Sequence, residues 1–176
     1  DGSILQDLMG RPAAIVTFLK GMSPRKPSAE QCRQIGAAMA RMHAALSETN
    51  LYRQNSLSIA SWPRLFQGRE TIAASLAPNL DNLVTGDLQR LKDQWPEADK
   101  LPQGVIHADL FPDNAFFLAG EFSGVIDFYF ACNDMLAYDV AIALNAWCFE
   151  GRGEFNMTKG RALLAGYNDV RAFTQA

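Results

Sequence analysis

The sequence contains few of the residues that build metal and disulfide frameworks. It has three cysteines and two histidines among 176 residues, and no two cysteines form a C-x-x-C pair. A structural zinc site is therefore not predicted. The cysteines are odd in number and far apart in the chain, which is typical of a reduced cytoplasmic protein, and we expect all three to be buried packing residues.

Basic charge and long apolar runs are also scarce. The net charge is −3 with histidine neutral, which gives no electrostatic reason to expect nucleic acid or an anionic membrane as a partner. No apolar run approaches the ~20 residues that span a bilayer. Apolar residues nevertheless make up 48% of the chain and charged residues 20%, as in globular domains with a sizeable core.

The N-terminal region predicts two short strands joined by a turn. The segment 3–20 carries turn residues at Met9–Pro12, and a brief, weak strand precedes them. After the turn, Ala13–Leu19 is a continuous apolar run with β-branched residues. Such a run predicts a strand that is buried on both faces.

The next region predicts a long amphipathic helix. Ser28 and Gln31 have the spacing of a capping box. Apolar residues then recur every three or four positions, at Cys32, Ile35, Met39, Met42 and Leu46. We therefore expect a helix over about 29–46 with one buried face. His43 lies beside that face, and we expect it to be a hydrogen-bonded core residue.

The remaining pattern alternates helices with short strands. Tight-turn residues at Ala119–Glu121 predict a hairpin between strands 114–118 and 122–126. Apolar spacing predicts further helices over about 62–76, 80–91, 136–147 and 157–167. This order predicts an α+β fold in which helices dominate.

The most informative segment reads H-A-D-L-F-P-D-N over 107–114. Transfer of a phosphoryl group to an alcohol requires an acceptor for the hydroxyl proton and hard oxygen ligands for Mg²⁺. Asp109 and Asn114 are five residues apart on a loop that leads into a strand. This spacing lets the carboxylate face a substrate while the carboxamide oxygen turns toward a metal.

A second acid follows the predicted hairpin. Asp127 comes thirteen residues after Asn114, in the sequence V-I-D-F. Because a hairpin brings the outer ends of its strands together, we expect Asn114 and Asp127 to be neighbours that can bind Mg²⁺. Ile126 and Phe128 flank the acid, so we expect Asp127 to lie among core residues, where a charge without a partner is costly. The spacing H-x-D-x-x-x-x-N followed by I-D-F is typical of kinases.

These motifs resemble the aminoglycoside phosphotransferase and choline kinase superfamily, whose catalytic loop usually reads H-G-D-L-x-x-x-N. Within it, G-V-I-H-A-D-L-F-P-D-N and the segment 126–150 are similar to homoserine kinases of the phosphotransferase type. The segment G-R-P-A-A-I-V-T-F-L-K-G resembles the strand that enters their interlobe hinge. The resemblance implies a protein-kinase-like α+β fold, mostly a helical C-terminal lobe with a catalytic-loop hairpin. It also implies cytoplasmic, Mg²⁺- and ATP-dependent phosphorylation of L-homoserine in threonine biosynthesis.

The resemblance implies a role for each polar residue of this region. Asp109 is expected to be the catalytic base or to orient the hydroxyl, with Asn114 and Asp127 as metal ligands. His107 and Asp139 are expected to support the loop. Backbone groups of the hinge strand are expected to contact adenine, namely those near Thr17, Phe18 and Leu19.

Two further residues are expected on the acceptor side of the site. In the family, the region after the metal-binding aspartate faces the acceptor, here at Tyr129 and Asp134. The carboxylate of Asp134 could hold the ammonium group of an amino acid. Asn133 and Asp134 also directly precede a predicted helix, so that helix capping remains an alternative for both.

The chain departs from the family pattern at its N-terminal end. We see no Gly-rich loop followed by a strand, and no strand lysine for the phosphates. We therefore expect 1–21 to be the end of an N-terminal lobe with its hinge strand, and 22–176 to be the helical lobe, with the catalytic loop in 104–130. This chain alone is expected to have weak activity or none. A strand at 13–18 without partners would be an exposed edge that favours association.

Several alternatives remain open from the sequence. A related kinase acting on choline, an aminoglycoside or a thiosugar would use the same loop, which sets the reaction and not the acceptor. A catalytically inactive, kinase-like binding module is a second alternative, and a metal-dependent hydrolase is a third. Beyond its small-molecule substrates, we expect no nucleic acid or membrane partner, and a monomer or a homodimer.

Overall fold

The structure is a computed structural model that describes residues 4–97, 100–151 and 153–174. Within these ranges the chain is mostly helical, with short antiparallel strand pairs. The helices are α1 (Ala29–Leu46), α2 (Trp62–Phe66), α3 (Glu70–Leu76), α4 (Leu80–Gln94), α5 (Leu136–Cys148) and α6 (Met157–Val170). The strands are β1 (Gln6–Leu8), β2 (Arg11–Ala13), β3 (Gln103–Ile106), β4 (Ala115–Leu118), β5 (Glu121–Val125) and β6 (Cys132–Met135). The predicted mixed fold with dominant helices is confirmed.

Helix α1 forms where its capping pattern and apolar spacing predict it. Ser28 Oγ accepts a hydrogen bond from Gln31 N, and Gln31 Oε1 accepts one from Ser28 N, which completes the capping box. Its buried residues are Cys32, Ile35, Gly36, Met39, Ala40 and His43. The cap is confirmed, and the buried face is confirmed at Cys32, Ile35 and Met39, whereas Met42 and Leu46 of the predicted stripe are half-buried.

The core lies where α1 and α6 cross, with α5 and β4 packed against them. A Cβ atom at Gly36 would lie 2.0 Å from the Leu163 carbonyl oxygen, and one at Gly166 would lie 1.9 Å from the Arg33 carbonyl oxygen. The two helices are therefore in backbone contact at these glycines. The predicted burial of all three cysteines is confirmed.

The strand pairs are β1–β2, β4–β5 and β3–β6. The predicted β4–β5 hairpin is confirmed, with Leu118 opposite Glu121. Its two-residue turn has left-handed backbone at Ala119 (φ 53°) and Gly120 (φ 90°), as a type I′ turn requires. In the described part of the chain, no helix is long and apolar enough to cross a membrane.

The prediction of a buried strand over Ala13–Leu19 is wrong. Strand β2 ends at Ala13, and 14–20 has no regular secondary structure. Ile15 is fully exposed, and Phe18 is 86% exposed. The apolar run has the composition of a buried strand, but no described strand lies beside it to supply pairing or cover. The first strand, predicted from Ser3, lies at Gln6–Leu8, and Ser3 is outside the described residues.

Strand β6 is not predicted by the sequence pattern, although it completes the sheet beneath the site. Its sequence, C-N-D-M, has weak strand propensity. It forms because Val105 and Ile106 of β3 pair with Asn133 and Cys132. This partner is distant in the sequence, so local patterns carry no signal of it.

Candidate active site

The loop between β3 and β4 presents Asp109 and Asn114 together. Asn114 Nδ2 donates to the main-chain oxygen of Asp109 at 2.8 Å and to its carboxylate Oδ2 at 3.3 Å. Asn114 is 9% exposed, whereas Asp109 is half-buried. A 3-10 turn at Pro112–Asn114 leads from this loop into β4. The carboxamide is thus fixed by its nitrogen, which leaves its Oδ1 as the acceptor for another group.

Asp127 lies at the same end of the hairpin. Ile126 N donates to Asn114 O at 2.9 Å, so the residues that precede β4 and follow β5 are adjacent. The hairpin therefore brings Asn114 and Asp127 together as predicted. The expectation that Asp127 lies among core residues is wrong, because Asp127 is exposed and its neighbours Ile126 and Phe128 are 40% and 47% exposed. The apolar neighbours lie at the mouth of the site, after the paired part of β5 has ended.

Two residues of the site have left-handed backbone. Ala108 has φ 63°, and Asp127 has φ 63° with ψ 62°. This conformation costs a non-glycine residue about 1 kcal/mol, and it persists where surrounding bonds determine it. At Ala108 the bond is to Asp139, whose Oδ1 accepts from Ala108 N at 2.9 Å. Ala108 immediately precedes Asp109, and Asp127 is itself the second strained residue. The backbone that carries each carboxylate is therefore fixed.

His107 and Asp139 form the buried frame of the loop. The Asp139 carboxylate accepts from His107 N at 3.0 Å as well as from Ala108 N. Asp109 N donates to His107 Nδ1 at 3.3 Å, so the other ring nitrogen carries the proton and donates to Ile126 O at 3.0 Å. Both side chains are 0% exposed. His107 thus joins the loop 107–114 to the segment that carries Asp127.

The frame extends to α1 and α6. His43 Nε2 is 2.9 Å from Asp139 Oδ2, and His43 Nδ1 is 2.9 Å from the Tyr167 hydroxyl. Because the Asp139 carboxylate accepts, Nε2–H of His43 donates, and its Nδ1 accepts the tyrosine proton. The prediction that His43 is a hydrogen-bonded core residue is confirmed.

The region expected to face an acceptor is built from β6 and the loop 51–57. The Asp134 carboxylate accepts from Asn55 Nδ2 at 2.7 Å and from Met135 N at 2.7 Å. Met135, and neither Asn133 nor Asp134, is the N-cap of α5, and no side chain caps it. The capping alternative is therefore wrong, because both residues lie in β6 and pair with Val105 and Gly104 of β3.

Tyr129 lies beside the same loop, 71% exposed. Its main-chain oxygen accepts a short hydrogen bond from Arg53 Nη1, and the Arg53 guanidinium lies 5.9 Å from its ring centroid. Sequence reasoning missed Arg53 and Asn55. They lie in a polar, irregular segment, and only the pairing of that segment with β6 gives them a position.

Of the residues expected near adenine, Leu19 contacts the hairpin. Thr17 and Phe18 are exposed. Leu19 is half-buried, and its side chain contacts Gly124 of β5 closely enough that a Cβ atom there would lie 2.9 Å away. Close to Leu19 in the sequence, Met22 holds the chain against β4. Met22 N donates to Phe117 O at 2.9 Å, and Phe117 N donates to Met22 O at 3.0 Å.

The site thus combines a half-buried carboxylate, a carboxamide oxygen and an exposed carboxylate at the mouth of a hairpin. Oxygen donors of this kind suit Mg²⁺ rather than zinc. With the helical layers around it, this arrangement defines the protein-kinase-like class of folds. The chain belongs to the phosphotransferase enzyme family, whose model matches residues 1–173.

Similar proteins agree with this assignment. A homoserine kinase of Rhizobium rhizogenes is 54% identical over 176 residues, which are 100% of this chain and 54% of that protein. A homoserine kinase of Xanthobacter autotrophicus is 53% identical over 175 residues, which are 99% of this chain and 54% of that protein. The chain spans about half the length of the curated relatives it matches.

Solved structures share the fold at low sequence identity. An aminoglycoside phosphotransferase of Alicyclobacillus acidocaldarius superimposes with a TM-score of 0.68 at 17% identity, over 96% of this chain and 56% of that one. An aminoglycoside-3'-phosphotransferase of type VIII gives 0.62 at 20% identity, over 90% and 62%. At these identities the similarity concerns the fold alone.

Proposed function

We propose that this chain carries the catalytic and metal-binding residues of an enzyme that uses ATP to phosphorylate the hydroxyl of L-homoserine. The observation that carries the proposal is the contact of Asn114 with Asp109 beside Asp127, at the end of one hairpin. The acceptor rests on the similarity to homoserine kinases at 54% identity. The family supports phosphoryl transfer as the reaction.

Asp109 is the residue we assign to the acceptor hydroxyl. Its carboxylate is fixed on one side by the Asn114 amide and can accept the hydroxyl proton on the other. Orientation of the nucleophile dominates phosphoryl transfer, since little covalent work falls to the protein. His107 and Asp139 act through this loop by holding its main chain, and neither reaches the substrate in this proposal.

Asn114 and Asp127 fit a divalent cation by their chemistry. Asn114 Oδ1 remains available because Nδ2 makes the described contacts with Asp109. Asp127 Oδ1 accepts only a long bond from Tyr129 N at 3.4 Å among the described contacts. The bound Mg²⁺ supplies charge neutralisation for the phosphates of ATP.

The remaining assignments follow the family. We propose that the main chain near Thr17, Phe18 and Leu19 contacts adenine, and that Tyr129 and Asp134 face the acceptor. Residues 1–21 then end an N-terminal lobe, and 22–176 form the helical lobe. The reaction belongs to threonine biosynthesis in the cytoplasm.

The test is a pair of isosteric substitutions in the gene product that contains this chain. Asp109→Asn removes the proton acceptor and is expected to lower kcat for homoserine by about 10²- to 10⁴-fold. Asp113→Asn is the matched control, because Asp113 is an acid of the same loop whose side chain takes no part in the proposed site, and it is expected to retain activity. The readout is ADP release with L-homoserine, choline and an aminoglycoside as acceptors.

The outcomes separate the alternatives. A preference for choline or an aminoglycoside would identify another kinase of the family. ATP binding without transfer to any acceptor would support the binding module. Equal activity of Asp109→Asn and Asp113→Asn would remove Asp109 from the reaction.

A further inference from the structure

A cavity lies directly beside the catalytic loop, on its acceptor side. Its lining includes Arg53, Asn55, Ala108, Cys132 and Tyr138. Ala108 immediately precedes Asp109, so the cavity reaches the loop that carries the carboxylate assigned to the hydroxyl. Burial raises the pKa of the Tyr138 hydroxyl and of the Cys132 thiol above their ordinary values, and Asp134 raises both further. Both lining groups are thus neutral at physiological pH.

Arg53 is the cation of this cavity. Its Nη1 is used in the described contacts, with Tyr129 O and with Ala131 O at 3.4 Å. The guanidinium has five N–H donors in a planar fork, so Nη2 and Nε keep donors for an anion among the described contacts. The main chain of Arg53 is fixed as well, since Arg53 N donates to Asn133 Oδ1 at 2.8 Å and Asn133 N donates to Arg53 O at 2.7 Å.

One of the residues that line this cavity also holds an acid. The lining residue Asn55 donates to the half-buried Asp134 carboxylate. No basic side chain forms an ion pair with Asp134 among the described residues, whose ion pairs lie elsewhere. The cavity thus has a cation in its lining, and its lining residue Asn55 contacts an anion that has no ion-pair partner among the described residues. This pair of opposite charges is complementary to an α-amino-acid zwitterion, whose ammonium and carboxylate groups are attached to one carbon.

We infer that Arg53 is a specificity-determining residue that binds the α-carboxylate of an amino-acid acceptor. This inference rests on the proposed function, and it adds the group that selects for a carboxylate. L-Homoserine has its charged groups on one carbon and its hydroxyl two carbons further along the chain. In this inference the carboxylate contacts Arg53, the ammonium group lies toward Asn55 and its partner Asp134, and the hydroxyl lies toward Ala108, which precedes Asp109. Choline has a cation and no carboxylate, so it has nothing to offer Arg53.

The test compares two acceptors on one set of variants of the gene product that contains this chain. The acceptors are L-homoserine and 3-amino-1-propanol, which is homoserine with hydrogen in place of the carboxylate. Arg53→Gln is expected to raise the KM for homoserine about tenfold to hundredfold, the effect of losing a charge-assisted hydrogen bond. Arg53→Gln is expected to lower kcat/KM much less for 3-amino-1-propanol than for homoserine, because only homoserine offers a carboxylate to Arg53.

Two further variants control for folding and for charge. Arg53→Lys keeps the charge without the fork and is expected to give an intermediate KM for homoserine. If thermal unfolding shows that Arg53→Gln is not folded, Arg53→Lys replaces it in the comparison of the two acceptors. Arg90→Gln removes an exposed arginine that pairs with Asp87 on α4, and its kinetics are expected to match the wild type.

The results distinguish a failure of this inference from a failure of the proposed function. If the wild type phosphorylates homoserine but the Arg53 variants lose activity equally with both acceptors, Arg53 only positions the 129–131 segment and the inference is overturned. If the wild type prefers 3-amino-1-propanol over homoserine, a carboxylate is not recognised, and the inference fails in the same way. If the wild type phosphorylates neither, the proposed function has failed and the inference falls with it.

Discussion

At the scale of single residues, a buried chain of hydrogen bonds supports the loop 107–114, to which we assign the catalytic residue. Tyr167 donates to His43, His43 donates to Asp139, and Asp139 accepts from the main chain of the loop. Tyr167, His43 and Asp139 are 1%, 2% and 0% exposed. A buried polar group that loses its partner costs about 1–3 kcal/mol. Each member is therefore needed to keep the next one satisfied.

Tyr167→Phe is expected to lower the free energy of unfolding by about 1–2 kcal/mol at neutral pH, because it leaves His43 Nδ1 without its donor. Burial raises the pKa of Tyr167 above its ordinary value of 10.0. The stability that this shift contributes is therefore present below pH 10 and is lost as the pH rises through the folded pKa. The difference in the free energy of unfolding between wild type and Tyr167→Phe should change above about pH 10 and stay constant below it. Urea unfolding at pH 7, 9 and 10.5 measures it.

The control for this experiment is Tyr52→Phe. Tyr52 is 79% exposed, so its removal should change stability by less than about 0.5 kcal/mol at each pH. A constant difference between Tyr167→Phe and wild type across the pH range would contradict the argument.

Residue-level prediction succeeds where local spacing carries the information. Helical periodicity places His43 in the core, and the hairpin places Asn114 and Asp127 together. Arg53 is not found, because its position depends on main-chain pairing of its loop with β6. The exposure of Asp127 is also missed, since an acid between two apolar residues has the same sequence pattern in a core and at the mouth of a site.

At the scale of elements, the α1–α6 crossing depends on two glycines. The spacing of apolar residues predicts both helices but not how closely they approach. Gly36→Ala is expected to destabilise the fold by about 1–3 kcal/mol or more, because the new Cβ meets main-chain oxygen rather than a mobile side chain. Denaturant unfolding of the chain measures the change.

Gly86→Ala is the matched control. Gly86 lies inside α4, and a Cβ atom added there would have nothing within 4 Å, so alanine is expected to stabilise by about 0.5–1 kcal/mol through helix propensity. Equal effects of the two substitutions would show that α1 and α6 are not in backbone contact.

The elements also differ in how far sequence predicts them. Helix α1 and the hairpin carry complete local signals, a capping box and a tight turn, and both form as predicted. Strand β6 and the short β2 depend on partners instead. Strand β6 gains β3 as a partner, whereas the apolar run after β2 lacks one among the described residues and stays irregular. Pairing with residues distant in the sequence decides both cases. Its presence forms β6, and its absence among the described residues leaves the apolar run irregular.

At the scale of the whole molecule, one surface feature is an exposed apolar segment at 15–18. Ile15, Val16 and Phe18 are 102%, 81% and 86% exposed. Adjacent exposed apolar side chains favour association. This chain is therefore expected to self-associate at high concentration, and the double substitution Ile15→Ser/Phe18→Ser should weaken association about tenfold.

Sedimentation equilibrium over a range of concentrations measures this association. Leu83→Ser is the control, because Leu83 is 57% exposed on α4 and lies outside this segment. A monomer at all concentrations would contradict the expectation, and so would equal effects of both substitutions.

The hydrogen-bond chain that ends at Tyr167 also constrains the order in which a ribosome can complete this molecule. Translation delivers Asp109, Asn114 and Asp127 well before α6 leaves the exit tunnel. Until then His43 has no tyrosine donor, and α1 has no glycine-lined partner to pack against. The nascent polypeptide therefore holds all three of these side chains before it has the frame that aims them, and a helix synthesised later completes that frame.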